Sequence, residues 1–420
     1  MRLLLVLILF SQSYLISAQC TKSYRPVIFI HGFLASGDTW SNAVYYFKKA
    51  GYCENYLVAF DWNSVGGNAR RTDSLLNIVI EQTLASTGAS QVDLVGHSAG
   101  GGVARNYLRD STRAKNIAHY VQIGSRKWPS EYAWFPNSKC LNIYSEGDKV
   151  AGTNGGPVEG AQNLKLIEED HYQVATSEKS LARMLNFFQE KNSSKPDAST
   201  KRKIKLAGRA VTLGDNQPMS GASINIYSLD KSTGDRKSTS GKINTDKNGN
   251  WGPIIVSKET PYEFELIGAD STQRTISYFF PSFTHADPLV YLRGFPKGNM
   301  ISALLSQIPK KEDQSVLVVY SATQAMISGR DSVSVNGVSI CTPELTPASK
   351  TAITSFIYED GDKVSSGQSI KQFNATPFIA GIDLNLLAGQ NQLLKIYFNG
   401  QSLTIPAKPS KERVLLAVFR

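Results

Sequence analysis

Two different periods of apolar residues divide the chain. Between residues 24 and 190, short apolar runs alternate with segments whose apolar residues recur every three or four positions. Such runs are typical of buried strands, and such segments of amphipathic helices. Strands that alternate with helices predict a mostly parallel sheet with helices on both faces. The predicted strands are Pro26–Ile30, Tyr56–Phe60, Val92–Val95, His119–Ile123, Leu141–Tyr144 and Leu164–Ile167.

Four amphipathic segments predict the helices between and after these strands. The first follows Asp38 or Thr39, either of which can cap a helix N-terminus, and it ends at Gly51. The others cover Leu75–Leu84, Gly101–Arg109 and residues 178–190. We therefore assign residues 19–190 to an α/β domain.

The pattern changes after a polar segment. Residues 191–203 lack large apolar side chains and predict a linker. Beyond them, short alternating runs are separated by turn pairs such as Asn248-Gly249 and Asn399-Gly400, which is typical of antiparallel sandwiches. Only residues 299–307 predict a helix there. Residues 204–297 are predicted to form one β-sandwich, and residues 298–420 a second sandwich or a continuation of the first.

Composition and charge narrow the function classes. The chain has 420 residues, of which 41% are hydrophobic and 19% charged, and this excludes disorder over its whole length. The net charge is +10, but residues 191–205 alone hold six basic residues against one acidic residue. Because this excess lies in a polar stretch and not on an aromatic-rich face, we predict no nucleic-acid partner. Peripheral contact with a lipid surface stays open.

The N-terminus has the pattern of a secretory signal. Arg2 precedes the apolar run Leu3–Phe10, and Ile16-Ser17-Ala18 is a small-residue cleavage site. The run is too short to span a bilayer, so an uncleaved anchor is the weaker alternative. We predict that residues 1–18 are a signal peptide cleaved near Ala18 and that the protein is secreted.

The cysteines predict a disulfide and no metal site. Outside the cell, Cys20, Cys53, Cys140 and Cys341 could pair in three ways. Cys20 and Cys53 each precede a predicted strand, which favours that pair. The chain has no C-x-x-C spacing, so zinc chemistry has no support. Residues 246–250 are spaced like a calcium loop, but their glycine is misplaced, and we predict a hairpin turn.

The strongest chemical motif is Gly96-His97-Ser98-Ala99-Gly100, which follows a predicted strand and opens a helix. In that context G-x-S-x-G forms a nucleophile elbow, whose sharp turn exposes the serine oxygen and requires glycine at its flanks. Ser98 is therefore the predicted nucleophile.

A serine nucleophile needs a base and an acid that follow it in this chain order. His171 lies after the last predicted strand and is the predicted base; we interpret His31 and His97 as hydrogen-bonding residues beside the site. The predicted acid is Asp148, just past a strand, with Glu146 as its close competitor. Residues 168–170 are predicted to be a solvated acidic loop.

An oxyanion hole needs two backbone N–H groups. The residue after the nucleophile, Ala99, supplies one, and Phe33 in the loop after the first strand is the predicted second donor. Apolar residues near these loops predict the walls of an acyl pocket. The candidate substrate-binding residues are Leu34, Trp128, Trp134 and Phe135.

Four segments together resemble the α/β-hydrolase lipase family: HGFLASGDTW, VDLVGHSAGG, NIYSEGDKV and DHYQVATSEKSLARMLNFF. The catalytic unit is similar to small bacterial lipases. The whole layout resembles two-domain archaeal lipases whose C-terminal β domain binds lipid. In the β region the similar segments are Lys205–Asp230, Tyr262–Leu266 and Ser334–Pro343. This resemblance implies hydrolysis of carboxylic esters through an acyl-serine, and Ser98, Asp148 and His171 match the family's triad.

Two features differ from the archaeal pattern. In the archaeal lipases, the catalytic acid lies at the end of one strand earlier than the strand that leads to Asp148. This chain has Gly124 at that position. The archaeal lid insertion is replaced by residues 61–91, which have room for little more than one helix. We therefore expect no large mobile lid.

The leading hypothesis is a secreted serine ester hydrolase that needs no cofactor and acts as a lipase on acylglycerols. A short-chain carboxylesterase, or an esterase acting on polyesters or acetylated glycans, is the first alternative. A lipid- or surface-binding protein with a vestigial hydrolase domain is the second. Aromatic segments at residues 278–283 and 291–295 predict either a lipid-docking surface or part of the sandwich core.

Overall fold

The computed structural model describes residues 24–128, 130–189, 202–270 and 272–420. The predicted signal peptide, Cys20 and most of the predicted linker lie outside the described residues. Within these ranges, no helix combines the length and the apolar character needed to cross a membrane.

The N-terminal region is built on a six-stranded sheet in which every neighbouring pair is parallel. The strand order is β2-β1-β3-β4-β5-β6. Its central strands are buried on both faces, which is why they appear in the sequence as continuous apolar runs. The strands are β1 (Val27–Ile30), β2 (Leu57–Phe60), β3 (Val92–His97), β4 (Ile117–Ile123), β5 (Cys140–Ser145) and β6 (Gln162–Leu166).

Helices cover both faces of this sheet. Alternate residues of β1 face opposite sides: Phe29 packs with the first and last long helices, and Ile28 with the two between them. The sequence prediction of an α/β hydrolase fold is therefore confirmed. The helices are α1 (Ser41–Lys49), α2 (Ala69–Thr87), α3 (Ala99–Leu108), α4 (Ser111–Ala114), α5 (Gln173–Thr176) and α6 (Glu178–Gln189).

The segment between β2 and β3 is mostly helix α2. Asn68 caps this helix, and Gly88 ends it with a φ of 72°. It is longer than the predicted Leu75–Leu84. Its first turns are polar and carry no apolar period, although Thr72 and Asp73 are buried. Only residues 61–68 remain as a loop between β2 and α2, which leaves no room there for a large lid.

The C-terminal region contains three sheets, of three, eight and four strands. It also contains the one helix that the pattern predicts, α7 (Met300–Ser306). The strands of this region are β7 (Lys203–Thr212), β8 (Ser223–Leu229), β9 (Arg236–Asn244), β10 (Asn250–Ser257), β11 (Tyr262–Ile267), β12 (Thr275–Phe280), β13 (Asp287–Gly294), β14 (Leu317–Ser321), β15 (Val333–Val335), β16 (Val338–Ser339), β17 (Thr354–Tyr358), β18 (Ile379–Asp383), β19 (Leu393–Phe398), β20 (Gln401–Pro406) and β21 (Arg413–Phe419).

One eight-stranded sheet is shared by residues 204–297 and 298–420. Its order is β18-β17-β14-β21-β12-β11-β8-β9, and the last strand of the chain, β21, lies parallel to β12. One face of this sheet packs on the sheet β10-β7-β13, and the other on the sheet β16-β15-β19-β20. The region is thus three layers of sheet with two cores.

Parallel strand pairs make this region different from the predicted antiparallel sandwich. β13 pairs in parallel with β7, β14 with β21, and β17 with β18. Turn residues predict local hairpins such as β19–β20, where Asn399 and Gly400 both have positive φ. Parallel neighbours are joined by longer connections, so Asp360-Gly361 does not close a hairpin between β17 and β18.

The aromatic segments of the β region are core. Tyr278, Phe280 and Phe283 are each at most 3% exposed and pack in one cluster. Tyr291 is 5% exposed. These residues therefore form no lipid-docking surface.

Candidate active site

A sharp turn between β3 and α3 presents Ser98. Its φ of 52° is unusual for a non-glycine residue, and its amide donates to the oxygen of Ile123 at 2.9 Å. The flanking glycines are sterically required: a Cβ at Gly96 would lie 2.6 Å from the Gly100 oxygen, and one at Gly100 would lie 2.5 Å from the Ile30 oxygen. This is the geometry of a nucleophile elbow.

His171 lies between the serine and a carboxylate. Its Nε2 is 2.8 Å from Ser98 Oγ, and its Nδ1 is 2.8 Å from Asp148 Oδ2. His171 is 4% exposed and Asp148 3%. The structure therefore brings together the three residues that the sequence proposes, at distances suited to proton transfer.

Asp148 is held in its ionised form. Burial would raise its pKa, but hydrogen bonds from His171 and from the amides of Ala151 and Val150 outweigh burial and lower the pKa below its usual value. The competing Glu146 is exposed and forms an ion pair with Lys165 instead.

Gly124 lies at the same place as the acid. A Cβ there would lie 3.2 Å from Asp148 Oδ2 and 3.6 Å from His171 Nδ1. A side chain at position 124 would therefore reach the same point beside the histidine as the carboxylate of Asp148. A glycine at the end of β4 leaves the space that Asp148 occupies.

The expectation of a solvated acidic loop before His171 is right for Glu168, which is exposed, but wrong for Glu169 and Asp170, which are both buried. Asp170 is 1% exposed, and its Oδ1 accepts from the amides of Tyr172 and Gln173. Its Oδ2 lies 2.8 Å from Arg330, which belongs to the β region. Asp170 therefore ties the histidine loop to the second region.

Two further histidines are hydrogen-bonding residues beside the site. His31 Nδ1 lies 2.8 Å from the Gly32 oxygen, and its Nε2 accepts from the amide of Trp62 at 3.2 Å. His97 Nε2 lies 2.8 Å from the His171 oxygen. Burial lowers the pKa of His97 to about 3 and also lowers that of His31, so both are neutral near pH 7.

The loop after β1 passes close to the nucleophile. A Cβ at Gly32 would lie 3.1 Å from Ser98 Cβ, so this loop packs against the nucleophile, and Phe33 is the next residue along it. Ala99 is the first residue of α3, where backbone N–H groups have no acceptor within the helix. These amides are therefore available as oxyanion donors.

Asn216 of the β region holds that loop, which the sequence did not predict. Its Nδ2 donates to the oxygens of Ala35 and Trp62 at 3.0 Å, and its Oδ1 accepts from Ser36 Oγ at 2.6 Å. The only sequence signal was the turn Gly214-Asp215-Asn216. Local patterns identify a turn, but they do not reveal what it contacts.

A narrow apolar cavity begins beside the loop after β1, which contains Phe33 and is called the oxyanion loop below. Leu34 and Ala35 form one part of its wall, and Tyr172, next to the catalytic histidine, forms another. The rest of the wall comes mainly from the eight-stranded sheet of the β region. Leu34 is thus beside a pocket, as predicted. Phe378 also lines this cavity and stacks on the His171 ring at 5.9 Å, which sequence patterns did not indicate.

The other three predicted pocket residues have different positions. Trp128 lines an open cleft that contains Ser98 and His171. Phe135 is 1% exposed in the core of the sheet, and Trp134 is 47% exposed and stacks on Tyr132. The interpretation of Trp134 and Phe135 as substrate-binding residues is therefore corrected, because the loop turns them away from both the cleft and the cavity.

Three of the four cysteines lie within the described residues. Cys53 is disulfide-bonded, whereas Cys140 and Cys341 are buried free thiols. Cys20 lies outside the described residues.

Comparison with known families agrees with this geometry. Residues 24–121 match the family model of lipase (class 2), and residues 202–295 match that of the lipase C-terminal domain. The first of these matches covers the part of the α/β-hydrolase domain that contains the nucleophile elbow. A further C-terminal-domain model matches residues 304–419 of this chain. The activity that these matches support is hydrolysis of carboxylic esters.

Solved structures resemble part of this chain at low identity. An esterase from Rhodococcus sp. is 13% identical, with 42% of this chain and 94% of that chain covered and a TM-score of 0.32. A lipase from Bacillus licheniformis is 14% identical, with 40% and 94% covered and a TM-score of 0.32. A bromoperoxidase from Bacillus anthracis is 16% identical, with 41% and 94% covered and a TM-score of 0.32.

Proposed function

We propose that the protein is a serine lipase that hydrolyses acyl esters through an acyl-serine. His171 takes the proton of Ser98 as the oxygen attacks the ester carbonyl, and Asp148 stabilises the imidazolium. The amides of Phe33 and Ala99 bind the tetrahedral oxyanion. His171 then protonates the leaving alcohol and activates the water that releases the fatty acid. No step needs a metal or a cofactor.

The apolar cavity is the observation that carries the choice of a lipase. It starts beside the oxyanion loop, and its wall is mostly apolar, with side chains such as Leu213, Val318 and Leu416, although Arg293 also lines it. Burying each methylene of an acyl chain contributes about 0.8 kcal/mol, so this cavity favours long acyl chains over acetyl groups.

An acyl-chain-length profile tests this proposal. We expect kcat/KM on chromogenic esters to rise from acetyl to at least decanoyl, and Ser98→Ala to abolish turnover on all of them. Leu416→Trp, which fills part of the cavity, should shift the optimum to shorter chains while the acetyl ester serves as the internal reference. A profile that is highest at acetyl and unaffected by Leu416→Trp would indicate a short-chain esterase. Turnover near wild type in Ser98→Ala would contradict the acyl-serine.

We also propose that the protein is secreted. The disulfide at Cys53 supports an oxidising compartment, since such bonds are rare where thiols are kept reduced.

A further inference from the structure

A different space opens at the catalytic residues: Ser98 and His171 line it, whereas neither of them lines the apolar cavity. It is an open cleft of about 670 Å³ that reaches Ser98 and His171 and shares no lining residue with the cavity. Its walls are α3, the loop that follows β4, and residues 150–154. If the acyl chain occupies the cavity, this cleft is left for the alcohol part of the ester.

The cleft has a strong excess of positive charge. Four of its described lining residues are cationic and none is Asp or Glu, namely Arg105, Arg109, Arg126 and Lys127. None of these four takes part in an ion pair of the described part of the chain. The only acid of the site, Asp148, is buried and bonded to His171. Among the described residues no carboxylate lines the cleft, so its walls keep a positive potential, although Asp73 lies close enough to interact with Arg109.

Arg105 is built into the wall of the cleft. Its guanidinium lies 4.4 Å from the centre of the Trp128 ring and 4.1 Å from that of Tyr132, and Nη2 donates to the Ser130 oxygen at 3.3 Å. Tyr132 in turn donates to the Arg105 oxygen at 3.1 Å. These contacts fix a half-buried positive charge at one place, in contrast to a freely mobile surface arginine.

The positions of the cations suit a group a few bonds from the ester. Arg105 follows Ser98 by seven residues, or about 10 Å along the axis of α3. Arg126 and Lys127 are exposed and come from the loop directly after Ser125, whose Oγ donates to the Ser98 oxygen at 2.7 Å. Arginine and lysine together are a usual set for binding phosphate.

We infer that this cleft binds a phosphate carried by the alcohol part of the substrate, so that the enzyme deacylates esters of phosphorylated alcohols such as lysophospholipids. This inference rests on the proposed acyl-serine. The bond that breaks is the carboxylic ester: water adds the hydroxyl to the acyl group, the phosphorylated alcohol leaves with a proton, and its phosphate ester stays intact.

The test compares two substrates that differ only in the phosphate-bearing head. Monooctanoylglycerol and octanoyl-lysophosphatidylglycerol are assayed below their aggregation concentrations, so that attraction to a charged surface plays no part. We expect the wild-type protein to have a higher kcat/KM on the phosphorylated ester. In Arg126→Ala/Lys127→Ala, the ratio of phosphorylated to neutral kcat/KM should fall at least tenfold. Lys115→Ala, an exposed cation outside the cleft, should keep the wild-type ratio.

Each other outcome has a definite meaning. Equal ratios in the wild type and the double variant would overturn the inference. Ser98→Ala separates the two proposals. If Ser98→Ala loses activity on both esters while the double variant keeps the wild-type ratio of phosphorylated to neutral kcat/KM, the acyl-serine stands and only the phosphate site fails.

Discussion

At the scale of single residues, the catalytic site depends on keeping a proton on Nδ1 of His171. Asp148 accepts from His171 and from two backbone amides, which favours its ionised form and fixes the tautomer with the proton on Nδ1 of the histidine. Nε2 is then free to take the proton of Ser98. Glu146, two residues away in sequence, points to Lys165 and has no such role.

Exchange of Asp148 for asparagine tests this assignment. Asp148→Asn keeps the size of the side chain but can favour the wrong tautomer, and we expect kcat to fall by about 10⁴-fold. Glu146→Gln is the matched control and should retain wild-type kcat. Steady-state kinetics on a single chromogenic ester measure both. A large loss in Glu146→Gln with little change in Asp148→Asn would reverse the assignment of the acid.

At the scale of elements, the turn between β7 and β8 forms part of the catalytic site. Asn216, with a φ of 53°, inserts between the loop after β1 and the loop after β2. It bonds both loops with a buried side chain, and Leu34, next to the oxyanion donor, belongs to the core of the β region. We therefore interpret Asn216 as a positioning residue for the oxyanion hole.

Asn216→Ala should leave Ser36 and two backbone oxygens without their buried partner. We expect kcat to fall about tenfold with KM nearly unchanged, because the oxyanion forms only in the transition state. Inhibition by a phosphonate that mimics the tetrahedral intermediate should weaken by the same factor. Gln217→Ala, the neighbouring exposed position, is the control. If Asn216→Ala lowers only the melting temperature and leaves kcat and phosphonate binding intact, its role is structural.

At the scale of the whole molecule, histidines whose pKa is lowered by full or partial burial make the stability of the fold depend on pH. His285 of the β region stacks on Tyr45 of α1 at 4.0 Å between ring centres. Burial lowers its pKa to about 4, against about 6.5 in an unfolded chain. Between these values the unfolded state binds more protons, so the free energy of unfolding decreases as the pH falls from about 6.5 towards 4.

Replacement of this histidine should flatten the acid side of the stability profile. His285→Phe keeps a ring against Tyr45 but does not titrate, and we expect its melting temperature to fall less than that of the wild type between pH 6.5 and 4. His31 and His97 remain buried, so part of the dependence persists. Melting curves at half-unit pH intervals measure the melting temperatures of both proteins. Parallel profiles of melting temperature against pH would contradict a contribution from His285.

Much of the hydrolase fold was readable from the sequence because its signals are local. The central strands are buried on both faces and so form continuous apolar runs, and the glycines around Ser98 mark a turn that only small residues allow. The order Ser98, Asp148, His171 follows from where loops leave a parallel sheet. The ends of α2 were missed because its first turns carry no apolar period.

The sequence by itself determined the α/β architecture, the nucleophile elbow, the candidate triad and the turns of the β region, since each rests on residues close together in the chain. Only the tertiary structure decided which residues meet from distant segments: Asn216 at the oxyanion loop, Phe378 on the histidine, Arg330 on Asp170, and strand β21 beside β12. The physical reason is that such contacts depend on packing and charge across regions, and a periodic pattern of apolar residues encodes burial but not the identity of the partner.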